Sequence, residues 1–372
     1  MQVSEIIIDK IRKNGPISFR DFMDISLYFP GSGYYTSPGN KIGKTGDYYT
    51  SPHVSSVFGH MIGKQLEEMW NLLGRKSFAV VEYGGGMGLL CRDILDYCKN
   101  NNEFYDQIEY YIIEKNPAAP GKREKNLQAQ PNTNKKIKWI ESIRDIGEIN
   151  GCILSNELLD NFPVHRVVMQ DELMEVFVGY KHGFVEILRP ATKSLKDYFA
   201  ELNVILPKGY CTEINLQAIA WLEEIAMVLK KGFVLTIDYG FSSSELYSIQ
   251  RSLGTLLCYY NHTINDRPYS NIGKQDITSH VNFSALRHWG VKNGLEYCGF
   301  TNQAQFLLSL GLAGYLKKIE KNGKDNPAGD QEKGLSIHTL LMDMGKKFQV
   351  LIQQKEMKQP RLSGLMFSRQ FI

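Results

Sequence analysis

The sequence lacks several features that would mark particular protein classes. Its six cysteines, at positions 91, 98, 152, 211, 258 and 298, form no C-x-x-C pair, so no zinc or redox motif and no metal site is predicted. Scattered cysteines in a chain of 372 residues indicate reduced, buried thiols. No apolar run approaches 18 residues, which predicts no membrane span. The N-terminus has neither a secretory pattern nor the acid-poor composition of a transit peptide, so a cytoplasmic location is predicted.

The sequence also lacks a surplus of charge. Lysine and arginine number 43 against 40 acidic residues, a net charge of +3. Binding to a nucleic-acid backbone needs a basic surplus, so no nucleic-acid partner is predicted. A hydrophobic content of 43% and a charged content of 22% are ordinary for a globular protein and exclude a largely disordered chain. The composition leaves the oligomeric state undetermined.

Short apolar runs alternate with helical periodicity along much of the chain. This pattern is typical of βαβ units and predicts a parallel sheet in an α/β fold. Short β-like runs between 163 and 187 predict antiparallel hairpins inserted into it, and 317–334 is predicted to be a surface or disordered loop. A helix is expected from 213 to 229, capped by Gly232. Strands are predicted at 78–82, 108–113, 152–155 and 233–237, with a weaker one at 138–140.

The segment from Pro30 to Pro52 is long, rich in glycine and proline, and contains four tyrosines. Loops of this length inside a compact protein are usually functional or disordered, and the tyrosines argue against disorder. We therefore expect a lid or binding loop. The resulting division has a helical N-terminal cover at 1–75 and a core at 76–372, with insertions at about 163–210 and 255–335.

A glycine-rich turn follows the strand at 78–82 and precedes a helix. The dinucleotide template G-x-G-x-x-G fails in either register, whereas G-x-G-x-G fits Gly84, Gly86 and Gly88. This spacing favours S-adenosylmethionine over a nicotinamide dinucleotide, which stays as an alternative. Glu82 is placed to meet the cofactor's ammonium group. Glu114 ends the next strand, where an acid can accept hydrogen bonds from ribose hydroxyls.

Acidic residues also follow later predicted strands, at Asn156-Glu157, Asp160 and Asp238. Ligands bind beyond the carboxyl ends of parallel strands, so these side chains are expected near the cofactor. Glu157 and Asp160 are three residues apart, and a helical turn would place both on one face. Two carboxylates there would suit a guanidinium. The alternative is a helix N-terminus decorated by capping residues.

The chain resembles the MidA family of S-adenosylmethionine-dependent methyltransferases over nearly its whole length. The resemblance rests on seven motifs in the family's order. They are Gly46 to Pro52 (GDYYTSP), Phe58-Gly59, Glu82 to Gly88, Asn156 to Val164, Asp238 to Gly240, Asp276 to Phe283, and Met344 to Leu351. The resemblance implies a Rossmann-like class I methyltransferase fold that binds S-adenosyl-L-methionine. It also implies methyl transfer to an arginine of a protein partner, as described for members that assist assembly of mitochondrial complex I.

The family's pattern implies roles for particular residues. Glu157 and Asp160 would hold the guanidinium, and His280 is either a proton acceptor or a buried histidine. The stretch with Gly46, Asp47, Thr50 and Ser51 would fold over the cofactor, and Asn156 would also contact it. An alternative is an inactive assembly or scaffolding factor that retains the pocket.

His53 departs from the family, where this position is often acidic. Two interpretations follow: a contact near the cofactor or substrate, or a solvent-facing helix residue, which the sequence favours.

Overall fold

The computed structural model describes residues 2–39, 41, 43, 46–114, 136–315 and 334–368. The predicted loop at 317–334 lies almost wholly outside them. The helices with described bounds are α1 Val3–Asn14, α2 Phe19–Tyr28, α3 Ser51–Val54, α4 Ser56–Leu72, α5 Leu89–Cys98, α6 Asn102–Gln107, α7 Lys193–Glu201, α8 Leu216–Val228, α9 Ser243–Leu246, α10 Phe283–Lys292 and α11 Gln303–Ser309. The strands are β1 Ile17–Ser18, β2 Phe78–Tyr83, β3 Ile108–Ile113, β4 Ile137–Ile140, β5 Ile149–Asn156, β6 His165–Met169, β7 Leu173–Tyr180, β8 Phe184–Pro190, β9 Cys211–Ile214, β10 Leu229–Phe241, β11 Leu257–Tyr260, β12 Thr263–Asn265, β13 Asp276–Thr278, β14 Val281–Asn282, β15 Glu296–Asn302 and β16 Phe348–Lys355.

The central sheet has the strand order β15-β16-β10-β5-β2-β3-β4, with β14 beside the end of β10. Strands β10, β5, β2, β3 and β4 are parallel to one another, whereas β16 runs antiparallel to both β10 and β15. Successive residues of a strand point to opposite faces, so Val80 packs with α4 and α5 while Val81 packs with α8 and α10. The predicted α/β class I methyltransferase fold is confirmed.

A second sheet is antiparallel and arises from the predicted hairpin region. Strands β6, β7, β8 and β9 are joined there by β1 from the N-terminal segment, whose Ile17 pairs with Val178. Buried residues of α1 and α2 pack against this sheet in one apolar cluster. The N-terminal cover is thus attached to the first insertion as well as to the core. The domain boundaries given above stay a prediction.

Two local predictions around α8 are wrong. The helix begins at Leu216 rather than at 213, because Cys211–Ile214 pairs with β6 and Asn215 caps the helix by accepting the Ala218 N–H at 2.8 Å. Gly232 does not cap it but lies within β10 opposite Gly151. A Cβ at Gly232 would lie 2.0 Å from the carbonyl oxygen of Gly151, so the close strand approach requires glycine.

Candidate cofactor and substrate site

The glycine turn between β2 and α5 has the backbone that its sequence suggested. Gly84, Gly86 and Gly88 have φ angles of 71°, 52° and 74°, in the left-handed region that glycine adopts at little cost. The N–H of Gly86 donates a hydrogen bond of 2.8 Å to Oε2 of Glu114, at the end of β3. The turn and the predicted ribose-binding acid are therefore joined directly.

Glu82 is buried at the end of β2, and its two carboxylate oxygens have different surroundings. Its Oε2 accepts a hydrogen bond of 2.7 Å from the Tyr110 hydroxyl. Its Oε1 has no partner among the described residues, and the side chain borders a cavity. Burial raises the pKa of Glu82 to about 7, although the Tyr110 hydrogen bond opposes the rise. A cationic ligand group at Oε1 would favour the ionised form.

A cavity of about 900 Å³ opens at the carboxyl ends of β2, β3 and β5. This is the edge where open parallel sheets bind ligands. Seven of the predicted site residues line it: Thr50, Glu82, Gly84, Gly86, Glu114, Asn156 and Glu157. The other six do not line it: Gly46, Asp47, Ser51, Gly88, Asp160 and His280. The structure thus brings more than half of the predicted set to one cavity.

Glu157 follows the last residue of β5 and has a φ of 51°, unusual for a residue with a side chain. Its Oε1 accepts the Ser51 N–H at 2.9 Å and the Asn156 side-chain amide at 3.1 Å. Burial raises the pKa of Glu157 to about 8, and the Asp238 carboxylate adds to the rise. The second oxygen, Oε2, has no partner among the described residues and is available to a ligand.

Asp238 holds the turn that carries Glu157. Its Oδ2 accepts the N–H groups of Leu158 at 3.1 Å and Leu159 at 2.8 Å, and its Oδ1 accepts the N–H of Tyr239 at 2.8 Å. The side chain is fully buried, and burial raises its pKa to about 7 against these hydrogen bonds. The sequence marked Asp238 only as an acid at a strand end. Its role in holding the Glu157 turn depends on hydrogen bonds from β10 to the residues that follow β5.

The expected helical turn at Glu157 and Asp160 is wrong. Residues 157–162 form bends and a turn rather than a helix, which also removes the alternative of a decorated helix N-terminus. The Asp160 side chain is buried behind the cavity wall, where Oδ1 has no hydrogen-bond partner. Burial raises the pKa of Asp160, and the Asp238 and Asp276 carboxylates raise it further.

His280 lies outside the cavity lining. Its ring stacks on Phe241 with centroids 5.1 Å apart, and its backbone N–H donates to Thr255 Oγ1 at 3.0 Å. Burial lowers the pKa of the imidazole to about 4. The surroundings match the buried histidine of the two alternatives more closely, and a catalytic role for His280 stays a prediction.

Much of the GDYYTSP stretch serves as internal support. Asp47 accepts the Tyr34 hydroxyl at 2.8 Å and the Asn261 N–H at 2.6 Å. Ser51 is buried and donates its hydroxyl to Gln303 at 3.2 Å, while Gly46 is also buried. Thr50 alone of the four predicted cover residues reaches the cavity. Gly88 caps the start of α5.

Tyrosines form one wall of the cavity. The sequence pointed only to the tyrosine-rich segment 30–52, which does not include Tyr28. Tyr28, Tyr35 and Tyr48 all line the cavity. The rings of Tyr28 and Tyr35 are stacked with centroids 5.5 Å apart. The Tyr35 hydroxyl donates to Asp276 at 2.8 Å and lies 3.1 Å from the Tyr48 hydroxyl. These hydrogen bonds therefore hold an aromatic surface beside the turn at residues 157–162.

His53 also lines the cavity, so its interpretation as a solvent-facing helix residue is wrong. It is half-buried on the short helix α3, which packs against α4 and α5. Asp24, which the sequence did not single out, lies on the cavity wall as well.

The cavity fits S-adenosyl-L-methionine by two observations. First, the glycine turn leaves open space beside Gly86, because a Cβ built on this residue would have no heavy atom closer than 4.0 Å. Second, Oε1 of Glu82 has no hydrogen-bond partner among the described residues. Glu82 and Glu114 would hold the ammonium group and the ribose. Among the described residues, no group of three or more potential ligands is arranged to bind a metal ion. Within the same residues, no helix has both the length and the apolar character needed to cross a membrane.

Several known proteins are similar to this chain. It is 27% identical over 377 residues to the protein arginine methyltransferase NDUFAF7 homolog, mitochondrial, of Caenorhabditis elegans, covering 93% of this chain and 84% of that protein. It is 24% identical to the human protein arginine methyltransferase NDUFAF7, mitochondrial, covering 91% and 80%. A crystal structure from Burkholderia thailandensis, bound to S-adenosyl-homocysteine, matches with a TM-score of 0.90 and 28% identity over 99% of this chain and 95% of that one.

The prediction of a cytoplasmic location is contradicted by this comparison, because the named relatives are mitochondrial proteins. Unpaired cysteines indicate only a reducing compartment and do not distinguish one such compartment from another.

A sequence model for S-adenosyl-L-methionine-dependent methyltransferases matches residues 61–301, which include the glycine turn, Glu114 and the Glu157 turn. Together with the ligand of the Burkholderia structure, this match favours the methyl donor over a nicotinamide dinucleotide and identifies the cofactor as S-adenosyl-L-methionine. The resemblance drawn from the sequence is confirmed, and the chain belongs to this family of S-adenosyl-L-methionine-dependent methyltransferases.

Proposed function

We propose that this methyltransferase modifies an arginine side chain of a protein partner. The observation that carries the proposal is the position of Glu157, whose Oε2 is available at the wall of the cavity that also holds the glycine turn. The names of the relatives support the same substrate class. The bound cofactor would supply a sulfonium methyl group. As the N–CH₃ bond forms, the S–CH₃ bond would break to leave S-adenosyl-homocysteine, and one proton must leave the guanidinium.

Charge and shape around Glu157 suit a guanidinium. A guanidinium is planar, stays charged at physiological pH, and pairs with carboxylates through two N–H groups. Asp24 and Glu157 supply negative charge, and the stacked pair Tyr28 and Tyr35 supplies a flat aromatic surface. Aromatic faces attract cations by about 0.5–2 kcal/mol, more strongly when water is excluded. A compact ammonium would use this flat surface less well than a guanidinium.

The raised pKa of Glu157 suits a group that holds a cation and accepts a proton. Its value of about 8 lies near neutral pH, where a group with such a pKa can act as a general base. The Ser51 N–H and the Asn156 amide both bind Oε1, so Oε2 is the oxygen that would face the substrate nitrogen. Alignment of that nitrogen with the methyl group would supply a large part of the rate enhancement.

The test uses two peptide libraries of matched length and charge, one with arginine and one with lysine as its only basic residue. The protein is incubated with each library and with S-adenosyl-L-methionine carrying an isotopic methyl label. Mass spectrometry of the products then locates the label. We expect label on arginine, and its loss with the variant Glu157→Gln.

Label confined to lysine, or to a non-protein product after incubation with cell extract, would contradict the proposed substrate. Absence of any transfer by a protein that still binds S-adenosyl-homocysteine would instead favour the alternative of an inactive assembly factor.

A further inference from the structure

His53 is held in a fixed orientation at the edge of the cavity. Its Nδ1 lies 2.6 Å from Oγ1 of Thr50, and Thr50 is itself buried. Burial lowers the pKa of His53, and the nearby Arg92 guanidinium lowers it further, so the neutral ring is favoured. When the Thr50 hydroxyl donates to Nδ1 of a neutral ring, the ring's own proton is on Nε2.

Nε2 of His53 has no hydrogen-bond partner among the described residues, and the side chain lines the cavity with Gly43 beside its ring. An N–H at this position can donate to an acceptor in the cavity. Because the Thr50 contact fixes the ring, the donor is already oriented before a ligand arrives.

The first turn of α5 contributes more donors to the same region. Leu89 and Leu90 begin this ten-residue helix and line the cavity. The first intrahelical bond at this end is made by the N–H of Arg92 to the Gly88 carbonyl. The N–H groups of Leu89, Leu90 and Cys91 have no assigned acceptor among the described residues, as expected for a helix start without a side-chain cap. Such N–H groups and the helix dipole favour an anion.

Negative charge in this part of the cavity comes from a different side chain. Glu82 is 3% exposed, and its Oε1 is unpartnered where the side chain borders the cavity. A ligand that satisfies both sets of atoms must carry both a positive and a negative charge. The α-ammonium and α-carboxylate of an amino acid meet that requirement.

We propose that Nε2–H of His53, with the first N–H groups of α5, binds the carboxylate of the cofactor's methionine part. Glu82 would take the adjacent ammonium group. The proposal depends on S-adenosyl-L-methionine as cofactor and not on arginine as substrate.

The test compares two ligands by calorimetry on the full-length protein. S-adenosyl-homocysteine carries the amino-acid group, whereas 5′-methylthioadenosine has the same nucleoside and thioether without it. His53→Leu should weaken S-adenosyl-homocysteine about ten- to a hundred-fold, the range for a lost hydrogen bond to a charged group, and leave 5′-methylthioadenosine within two-fold. His53→Gln, which keeps an N–H donor, should retain most of the affinity.

The matched control is His182→Leu, at an exposed turn away from the cavity, which should bind both ligands as the parent protein does. Thermal unfolding of each variant checks that it is folded, and His53→Ala, which also lacks the donor, replaces His53→Leu if that variant is not folded. Equal weakening of both ligands, or unchanged affinity for S-adenosyl-homocysteine in His53→Leu, would overturn the proposal.

Discussion

The backbone N–H of Ser51 donates a hydrogen bond of 2.9 Å to Oε1 of Glu157, 106 residues further along the chain. The contact joins the N-terminal cover to the turn at the end of β5. It leaves the other carboxylate oxygen of Glu157 for a ligand. The cover is therefore part of the site and orients the acid proposed to hold the substrate.

Glu157→Gln should reduce methyl transfer by about 10²–10³-fold, the range measured when a transition-state contact is removed. The glutamine oxygen can still accept the Ser51 N–H, so we expect the fold and the affinity for S-adenosyl-homocysteine to be retained. Initial rates with labelled methyl donor and calorimetry measure the two effects. Glu172→Gln, at an exposed residue paired with Lys196 at 2.8 Å, is the control and should keep full activity. Near-parent activity in Glu157→Gln would contradict its proposed role.

Asp238→Asn should destabilise the protein by about 1–3 kcal/mol, because an amide can accept at only one of its two ends and at least one buried N–H loses its acceptor. The turn holding Glu157 would loosen, so kcat should fall more than the affinity for S-adenosyl-homocysteine. Urea unfolding and steady-state kinetics test both effects. Asp171→Asn, whose side chain is 94% exposed, should change neither. A fall in cofactor affinity with unchanged kcat would argue against this positioning role.

Gly86→Ala should abolish measurable binding of S-adenosyl-homocysteine. The φ of 52° strains any side chain by about 1–2 kcal/mol, and the added methyl group points into the cavity. Gly147→Ala provides a matched control, because its φ is 79° and nothing lies within 4 Å of an added Cβ. Both variants should lower the melting temperature slightly, and only Gly86→Ala should lose the ligand. Binding by Gly86→Ala at parent affinity would place the cofactor elsewhere.

The ligand-free protein should lose stability as the pH rises from about 5 to 8. Burial raises the pKa of Glu82, Asp238 and Asp276 to about 7 and that of Glu157 to about 8. In this range the folded state binds more protons than the unfolded chain, so raising the pH favours unfolding. One pKa unit on one group corresponds to about 1.4 kcal/mol, so with four such groups we expect the free energy of unfolding to fall by at least about 2 kcal/mol.

Urea unfolding at pH 5.5 and pH 8 measures this dependence. Asp276→Asn removes one of the four groups and should make the fall smaller. A free energy of unfolding that is constant or rises over this interval would show that these carboxyl groups are ionised in the folded protein.

Local sequence patterns were sufficient for the glycine turn and its neighbours. The spacing of Gly84, Gly86 and Gly88 reflects the left-handed backbone of this turn, which glycine adopts without help from distant residues. Glu82 and Glu114 end strands whose apolar character is visible in the sequence. These positions reach the cavity because parallel strands carry their carboxyl ends to one edge of the sheet.

Predictions that depended on distant partners were less successful. Gly232 looked like a helix cap, and only its pairing with Gly151 shows why glycine is needed there. The spacing of Glu157 and Asp160 suggested a helix, but Asp238 instead holds a turn that separates an available acid from a buried one. His53 seemed exposed from the sequence, but α3 packs against α5 and places His53 at the cavity.

The sequence by itself determined the fold class, the cofactor and the family, because these follow from periodicity and from motifs that act locally. Only the tertiary structure decided which polar side chains face the cavity and which support it. Contacts such as Ser51 with Glu157 and Tyr35 with Asp276 join residues far apart in the chain. Their hydrogen bonds depend on how sheets and cover pack together, and no local pattern of residues specifies that packing.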